Sequence, residues 1–203
     1  MGKRIQPLRK TLTKRSVGHN RNIIIILLIC ASIRCVDYII SEEIIHNKAS
    51  SQMINVYNTE TEKLMQLEME TYIAGVVAAE MPASFELDAL KAQAVAARTF
   101  ALKRMNTPNS NVTALYPKAQ ITTSPATCQA WISDDEQRER WGKDYIKWHQ
   151  KIIQAVTETA GEVLCYDGVL IDPVYHASCG GGATESAEYV WGNATPHLVS
   201  VPC

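Results

Sequence analysis

The chain has 203 residues, of which 46% are hydrophobic and 20% charged, and its formal net charge is −1 at pH 7. This composition is typical of one globular domain with appendages, and it excludes a disordered chain and a strongly basic nucleic-acid binder. The near-zero balance hides an uneven distribution, because residues 1–22 hold seven lysines and arginines and no acidic residue.

An apolar run covers residues 23–33 directly after this basic segment. That order is typical of an export signal or a membrane anchor. Eleven helical residues cover only about half of a bilayer core, and no small-residue cleavage site follows. We therefore expect a basic cytoplasmic tail over 1–22, an uncleaved signal anchor over 23–40, a linker over 41–51 and an extracytoplasmic domain over 52–203. A basic arm that binds acidic lipid or nucleic acid is the alternative.

The domain begins with a predicted β-hairpin followed by two helices. Residues 53–57 and 63–69 alternate or run apolar on either side of a turn-forming segment, which indicates two paired strands. Helical spacing of apolar residues then predicts one helix over 70–79 and a second over 87–105.

Two charged residues fall on the apolar faces of these helices. Ile73, Val76 and Val77 form a stripe at helical spacing, and Glu80 continues it. Arg98 lies within the apolar arc of the second helix. One interpretation is a structural ion pair between Glu80 and Arg98. The other is an acid/base carboxylate at a cleft, with Arg98 holding the substrate, and the residues alone leave both open.

The rest of the chain alternates between short helices and strands. Residues 106–111 break the helical pattern, and residues 119–127 predict a long exposed loop. Residues 134–162 carry a charged helix or two. The segments 163–165 and 169–175 flank an Asp-Gly pair, which predicts a second hairpin. The resulting fold class is α+β, with helices and short β-hairpins packed around one cleft behind an N-terminal membrane anchor.

A run of three glycines follows this hairpin and favours unusual backbone angles or close approach of a ligand. Its neighbours His176 and Cys179 allow three interpretations. They could form a nucleophile pair with the amides of Gly180 and Gly181 as oxyanion donors. They could hold zinc with a further cysteine. They could also be structural residues beside the turn.

The cysteines and one tryptophan complete the candidate residues. If the domain is exported, Cys128, Cys165, Cys179 and Cys203 lie where disulfides form, and we expect mostly structural roles without a defined pairing. Trp191 is either a core residue or, if exposed, a platform on which a sugar ring stacks.

Four segments, 70–83, 89–103, 128–131 and 175–194, closely resemble in order the motifs of the stage II sporulation protein D family. The resemblance covers about residues 52–203. It implies proteins anchored by their N-terminus that act outside the cell membrane during engulfment of the forespore. It also implies cleavage of peptide-stripped peptidoglycan glycan strands by lytic transglycosylation, without a cofactor. A wall amidase or engulfment proteins are the further partners it suggests.

The resemblance assigns roles to individual residues. The family's acid/base glutamate matches Glu80, and one carboxyl suffices because a transglycosylase uses the sugar's own 6-hydroxyl as nucleophile. A guanidinium close to Glu80 would oppose its protonated form, so we expect Arg98 to contact substrate instead. The expected substrate-binding residues are Arg98, Tyr175, His176, Ser178, Gly180, Gly181 and Trp191.

This sequence departs from the family in two places. Clostridial members hold zinc with a His and Cys cluster before the position of Cys128, but the corresponding residues here are Thr122 and Tyr116, which are poor ligands. We therefore predict no metal. The family also continues beyond the position of Cys203, so we expect an incomplete C-terminus. Amidase enhancers share the superfamily, so a non-catalytic wall-binding module is the alternative function, and a scaffold in the engulfment machinery is a third.

Overall fold

The computed structural model describes residues 52–176 and 178–202. The predictions for the basic tail, the signal anchor and the linker fall outside these residues. Within the described ranges, no helix combines the length and the apolar character needed to cross a membrane.

The described chain mixes helices with short strands, which confirms the predicted α+β class. In chain order the elements are β1 (Met53–Asn58), β2 (Lys63–Glu68), α1 (Met69–Glu80), α2 (Leu87–Asn106), α3 (Ser110–Leu115), β3 (Ile121–Thr122), α4 (Asp134–Trp141), a 3₁₀ turn (Gly142–Asp144), α5 (Tyr145–Glu158), β4 (Cys165–Tyr166), β5 (Val169–Leu170) and α6 (Ala187–Trp191).

The first sheet has the order β2-β1-β3. β1 pairs antiparallel with β2 and parallel with β3. The β1–β2 turn is fixed by the Asn58 side chain, which accepts hydrogen bonds from the backbone N–H groups of Glu60 and Thr61, both at 2.9 Å. On the third strand, Ile121 stands opposite Val56, and both are fully buried.

Helix α1 lies at the centre of the fold. Its residues 72–78 are all buried, and α2 and α5 pack against it. A helix that is apolar on every side belongs in the interior, so α1 is more deeply enclosed than a single apolar stripe predicts. The core is completed by Ile54, Val56, Leu90, Ala94, Ala97, Ile121, Ile152 and Val156.

The structure confirms most predicted elements and corrects one. The hairpin is confirmed, as are both helices, with boundaries that differ by one residue at most. The charged region after residue 133 is two helices joined by a 3₁₀ turn. The second hairpin exists but is shorter than predicted. The exposed loop predicted over 119–127 is wrong at its start, because Ala119 is buried and Ile121 belongs to β3.

The α4–α5 pair is joined by a polar network around Asp134. Its carboxylate accepts a short hydrogen bond from the Tyr145 hydroxyl and a second from Arg138 Nε at 2.9 Å. The Tyr145 hydrogen bond first, and Arg138 after it, lower the pKa of Asp134 below its ordinary value. The network thus ties the start of α4 to the start of α5.

We expect Tyr145→Phe to weaken the dependence of stability on acid pH. A carboxyl with a lowered pKa in the folded state adds stability that is present above its unfolded value, about 3.9, and is lost as the pH falls through the folded value. Without the Tyr145 hydroxyl, less stability is present at neutral pH and less is lost on acidification. Thermal melts at neutral pH and below about pH 4 measure this difference. The exposed Tyr189→Phe is the control, and equal pH dependence in both variants would contradict the assignment.

Candidate functional site

Glu80 is the last residue of α1 and is half-buried. Its Oε1 accepts a hydrogen bond from the backbone N–H of Ala130 at 2.7 Å. A backbone N–H is a fixed donor, so it holds the carboxyl group in one orientation.

The segment that supplies this donor is held close to α1 by a glycine. The N–H of Ile132 donates to the Gly75 carbonyl at 3.2 Å. A Cβ at Gly75 would lie 2.2 Å from Trp131 Nε1 and 2.8 Å from the Ile132 carbonyl oxygen, so no larger residue fits without movement. The segment 128–131, the Cys-Gln-Ala-Trp motif, thus brings the N–H of Ala130 to Glu80.

We expect Gly75→Ala to lower stability by about 1–3 kcal/mol, because the added methyl group forces the backbone of residue 132 away from α1. The same movement would pull Ala130 from Glu80 and reduce any activity that depends on that carboxyl. Urea unfolding measures the first effect. Gly182→Ala is the matched control, since its Cβ would meet no atom within 4 Å. Equal stabilities of the two variants would contradict the close packing.

Tyr175 is a neighbour of Glu80, although the two are far apart in sequence. Burial and then the negative charge of Glu80 raise the pKa of Tyr175 to about 12. The nearby Glu80 carboxyl oxygen acts in the same direction, and the nearby amides of Gln129 and Gln93 act in the opposite one, although the Nε2 atom of neither glutamine has a hydrogen-bond partner among the described residues. Glu80, Tyr175 and the two glutamines therefore form one polar cluster.

Tyr72 closes this cluster from the interior. Its side chain is fully buried, and its hydroxyl has no hydrogen-bond partner among the described residues. Burial, followed by the charges of Cys128, Tyr175 and Glu80, raises the pKa of Tyr72 well above its ordinary value. It is therefore a neutral phenol behind the carboxyl group.

A cavity of about 600 Å³ opens beside Tyr175. This volume is within the range of small-molecule sites. Its walls include four predicted substrate contacts, Tyr175, His176, Ser178 and Trp191. The Trp191 side chain is 56% exposed, so its ring is available for stacking and is not a core residue.

The glycine run adopts left-handed backbone angles, with φ of 68° at Gly180 and 82° at Gly181. Nothing lies within 4 Å of a Cβ at either position, so conformation and not space explains the glycines. The Gly180 N–H donates to Ser178 Oγ at 3.2 Å. Cys179 is disulfide-bonded, so the interpretations that used its thiolate as nucleophile or zinc ligand are wrong.

Arg98 is buried and pairs with Glu70. It is 1% exposed, and its Nε and Nη2 donate to the two carboxylate oxygens of Glu70 at 2.9 and 2.7 Å. Nη1 donates to the Glu162 carbonyl at 3.1 Å, so every guanidinium nitrogen has a protein acceptor. The interpretation of Arg98 as the ion-pair partner of Glu80 is wrong, because Glu70 is the partner. Arg98 does not line the cavity that includes Tyr175, His176, Ser178 and Trp191, and neither do Gly180 and Gly181.

Sequence reasoning missed Gln93 and Gln129. Gln93 lies on α2 between Leu90 and Ala97 at helical spacing, so a polar residue on a buried face was a usable signal. Gln129 lies within the Cys-Gln-Ala-Trp motif.

Among the described residues, no group of three or more His, Cys, Asp and Glu side chains could hold a metal ion.

Comparison with known proteins identifies the family. A family model described as stage II sporulation protein matches residues 57–166. The stage II sporulation protein D of Bacillus subtilis (strain 168) is 41% identical over 154 residues, which is 76% of this chain and 44% of the relative. That of Bacillus amyloliquefaciens is 36% identical over the same shares. The chain belongs to the stage II sporulation protein D family.

A relative with a different name matches as well. The amidase enhancer of Bacillus subtilis (strain 168) is 33% identical over 128 residues, covering 63% of this chain and 14% of the relative. The chain thus spans less than half the length of each of these curated relatives. The family model ends before Tyr175, so it includes Glu80 and Arg98 but not the wall of the cavity.

Proposed function

We propose that this protein cleaves peptidoglycan glycan strands as a lytic transglycosylase, with Glu80 as the catalytic acid and then base. The observation that carries the proposal is Glu80, a half-buried carboxyl held by the Ala130 N–H, whose charge acts on Tyr175. Tyr175 lines the cavity together with the exposed Trp191 ring, whereas Glu80 itself is not among the lining residues. Carboxyl groups in such surroundings serve in acid/base chemistry, and aromatic rings stack on sugars. Membership of a sporulation family supports the wall as the source of substrate.

The chemistry needs a single carboxyl group. Protonated Glu80 donates its proton to the bridging oxygen as the bond from that oxygen to the sugar's C1 breaks. The resulting carboxylate then takes the proton of the 6-hydroxyl group on the same sugar, and the 6-oxygen bonds to C1. The products are a 1,6-anhydro end and a new free 4-hydroxyl end, and Glu80 is protonated again.

The proposal also includes where the protein is located and which residues contact the strand. The basic tail and the segment 23–40 anchor the chain in the cell membrane, and the domain acts outside it during engulfment. His176, Ser178 and Trp191 contact the strand along the cavity. Arg98 supports the site through the packing of α1 on α2.

A different carboxyl, that of Glu185, lines the cavity, whereas Glu80 does not. Two carboxyl groups across a glycosidic bond would allow ordinary hydrolysis, which leaves a reducing end instead of an anhydro end. The products therefore distinguish the two reactions.

The test is digestion of peptide-stripped glycan strands by the purified 203-residue chain, with mass spectrometry of the products. We expect fragments with 1,6-anhydro ends. Products with hydrated reducing ends would contradict the proposal and indicate hydrolysis instead. Strands that sediment with the protein but remain intact would favour the non-catalytic wall-binding function, which the similarity to an amidase enhancer supports.

A further inference from the structure

A second cavity, of about 640 Å³, adjoins the first cavity, which is the one beside Tyr175. Its walls come from α2, from the β4–β5 hairpin and from the chain after α6, and they include Lys103, Tyr166, Leu170 and Thr195. The residues that line both cavities are Val174, Trp191, His197 and Leu198. The two cavities therefore share a wall, and each has the volume of a small-molecule site.

Aromatic rings are exposed on the wall of the second cavity. Tyr166 is 44% exposed and Trp191 is 56% exposed. The Tyr166 ring lies against the ring of His197, with 5.4 Å between the two centroids, so the histidine supports one side of the tyrosine. Exposed rings beside polar groups are suited to stacking on sugars.

The charges of the second cavity favour an uncharged ligand. Lys103 Nζ pairs with Asp172 Oδ1 at 2.7 Å, and Asp167 is a further carboxylate of the wall. Apart from His197, the described lining residues thus carry one positive and two negative charges, and the positive charge already has its partner. A ligand carboxylate would meet like charge, which is unfavourable. Sugar hydroxyl groups can both donate to the carboxylates and accept from the ammonium group.

We propose that the second cavity is a subsite for an uncharged sugar of the same glycan strand that occupies the first cavity. Tyr175 lines only the first cavity and Tyr166 only the second, whereas Trp191 lines both. A chain of linked sugars can therefore continue past the Trp191 ring from one cavity into the other. The identity of the strand rests on the proposed function. A peptide-stripped strand alternates N-acetylglucosamine, which is uncharged, with N-acetylmuramic acid, which carries a carboxylate, so the second cavity takes N-acetylglucosamine.

This subsite is separate from the proposed chemistry. Glu80 lines neither cavity, and the predicted contacts Tyr175, His176 and Ser178 line the first cavity alone. A contact that is equally strong in the ground state and in the transition state lowers KM and leaves kcat unchanged. We therefore expect damage to the second cavity to raise KM for glycan strands at constant kcat.

The experiment measures the binding of uncharged oligosaccharides by isothermal titration calorimetry. The probes are the disaccharide and the tetrasaccharide of N-acetylglucosamine. In the wild type we expect the tetrasaccharide to bind more tightly, because it contacts both cavities. Tyr166→Ala should weaken its binding by about three- to tenfold, the contribution of one aromatic contact, and bring its affinity closer to that of the disaccharide.

Tyr189→Ala is the matched control, because Tyr189 is 78% exposed and lines neither cavity. It should bind both probes as the wild type does. Equal affinity of the wild type for the two probes, or a tetrasaccharide affinity that Tyr166→Ala leaves unchanged, would overturn the proposal.

NMR spectroscopy gives a second test in the wild-type chain, in case Tyr166→Ala fails to fold. In protein labelled with ¹³C in the tyrosine rings, the signal that Tyr166→Phe removes belongs to Tyr166. We expect the tetrasaccharide to shift this signal and to leave that of Tyr116, which stacks on Tyr57 and lines neither cavity, in place. A Tyr166 signal that does not shift at saturation would reject the subsite.

Binding and cleavage can fail independently. If the tetrasaccharide binds with the expected dependence on Tyr166 but glycan strands stay intact, the proposed enzyme activity is wrong and the sugar subsite stands. If strands are cleaved but Tyr166→Ala changes neither KM nor the tetrasaccharide affinity, the subsite is wrong and the proposed function stands.

Discussion

Replacing Glu80 with glutamine is expected to lower glycan cleavage by about 10²- to 10⁴-fold and to leave thermal stability unchanged. Glutamine keeps an oxygen that accepts the Ala130 N–H but has no transferable proton. Folding should survive because the buried guanidinium of Arg98 pairs with Glu70, so Glu80 is not its counter-charge. Digestion of peptide-stripped strands and thermal melts on the one variant measure both effects.

Glu185→Gln is the matched control, because Glu185 is a carboxyl that lines the cavity. In a transglycosylase that uses one carboxyl, this variant should retain most of the activity. A stable Glu80→Gln protein that still forms anhydro ends would contradict the proposed catalytic role of Glu80. An inactive Glu185→Gln protein would point to a reaction with two carboxyl groups.

Glu70→Gln is expected to destabilise the protein by about 3 kcal/mol, because it leaves the Arg98 charge buried without its partner. Arg98 is 1% exposed and the Glu70 side chain 18% exposed, so water cannot replace the lost carboxylate. Urea unfolding measures the change. Glu68→Gln, an exposed residue two positions earlier in the chain, should stay within about 0.5 kcal/mol of the wild type. A stable Glu70→Gln protein would contradict the assignment.

Replacing both members of this pair tests the substrate role expected for Arg98. Exchange of a buried ion pair for apolar residues is often neutral or stabilising, so Glu70→Met combined with Arg98→Met should restore folding. If Arg98 acts only in packing, the double variant cleaves glycan. A folded but inactive double variant would support a role of Arg98 in substrate binding.

Sequence patterns predicted the parts of this fold that depend on neighbours along the chain. The periodicity of α1 and α2 is a local property, so their boundaries and the place of Glu80 at a helix end followed from it. The Asn58 turn and the first hairpin were visible for the same reason. Motif resemblance brought Tyr175 and Glu80 together before any geometry was available.

Contacts between distant segments needed the tertiary structure. β3 is two residues long and pairs with a strand more than 60 positions earlier, which no local pattern of residues 119–127 reveals. Gln93, Gln129 and Tyr175 lie in three separate segments of the chain. The burial of the two glutamine amides, whose Nε2 atoms have no hydrogen-bond partner among the described residues, appears only in the folded chain.

The partner of Arg98 shows this limit most clearly. Glu70 and Glu80 lie on the same helix, about 15 Å apart along its axis. Both are within reach of a second helix that returns alongside α1, and the sequence contains nothing that chooses between them. The choice depends on where α2 crosses α1 and how far each helix is rotated about its axis, and the packing of the whole core sets both. The sequence by itself therefore determined that a buried arginine needs a carboxylate, and the tertiary structure decided that Glu70 supplies it, whereas Glu80 accepts the Ala130 N–H.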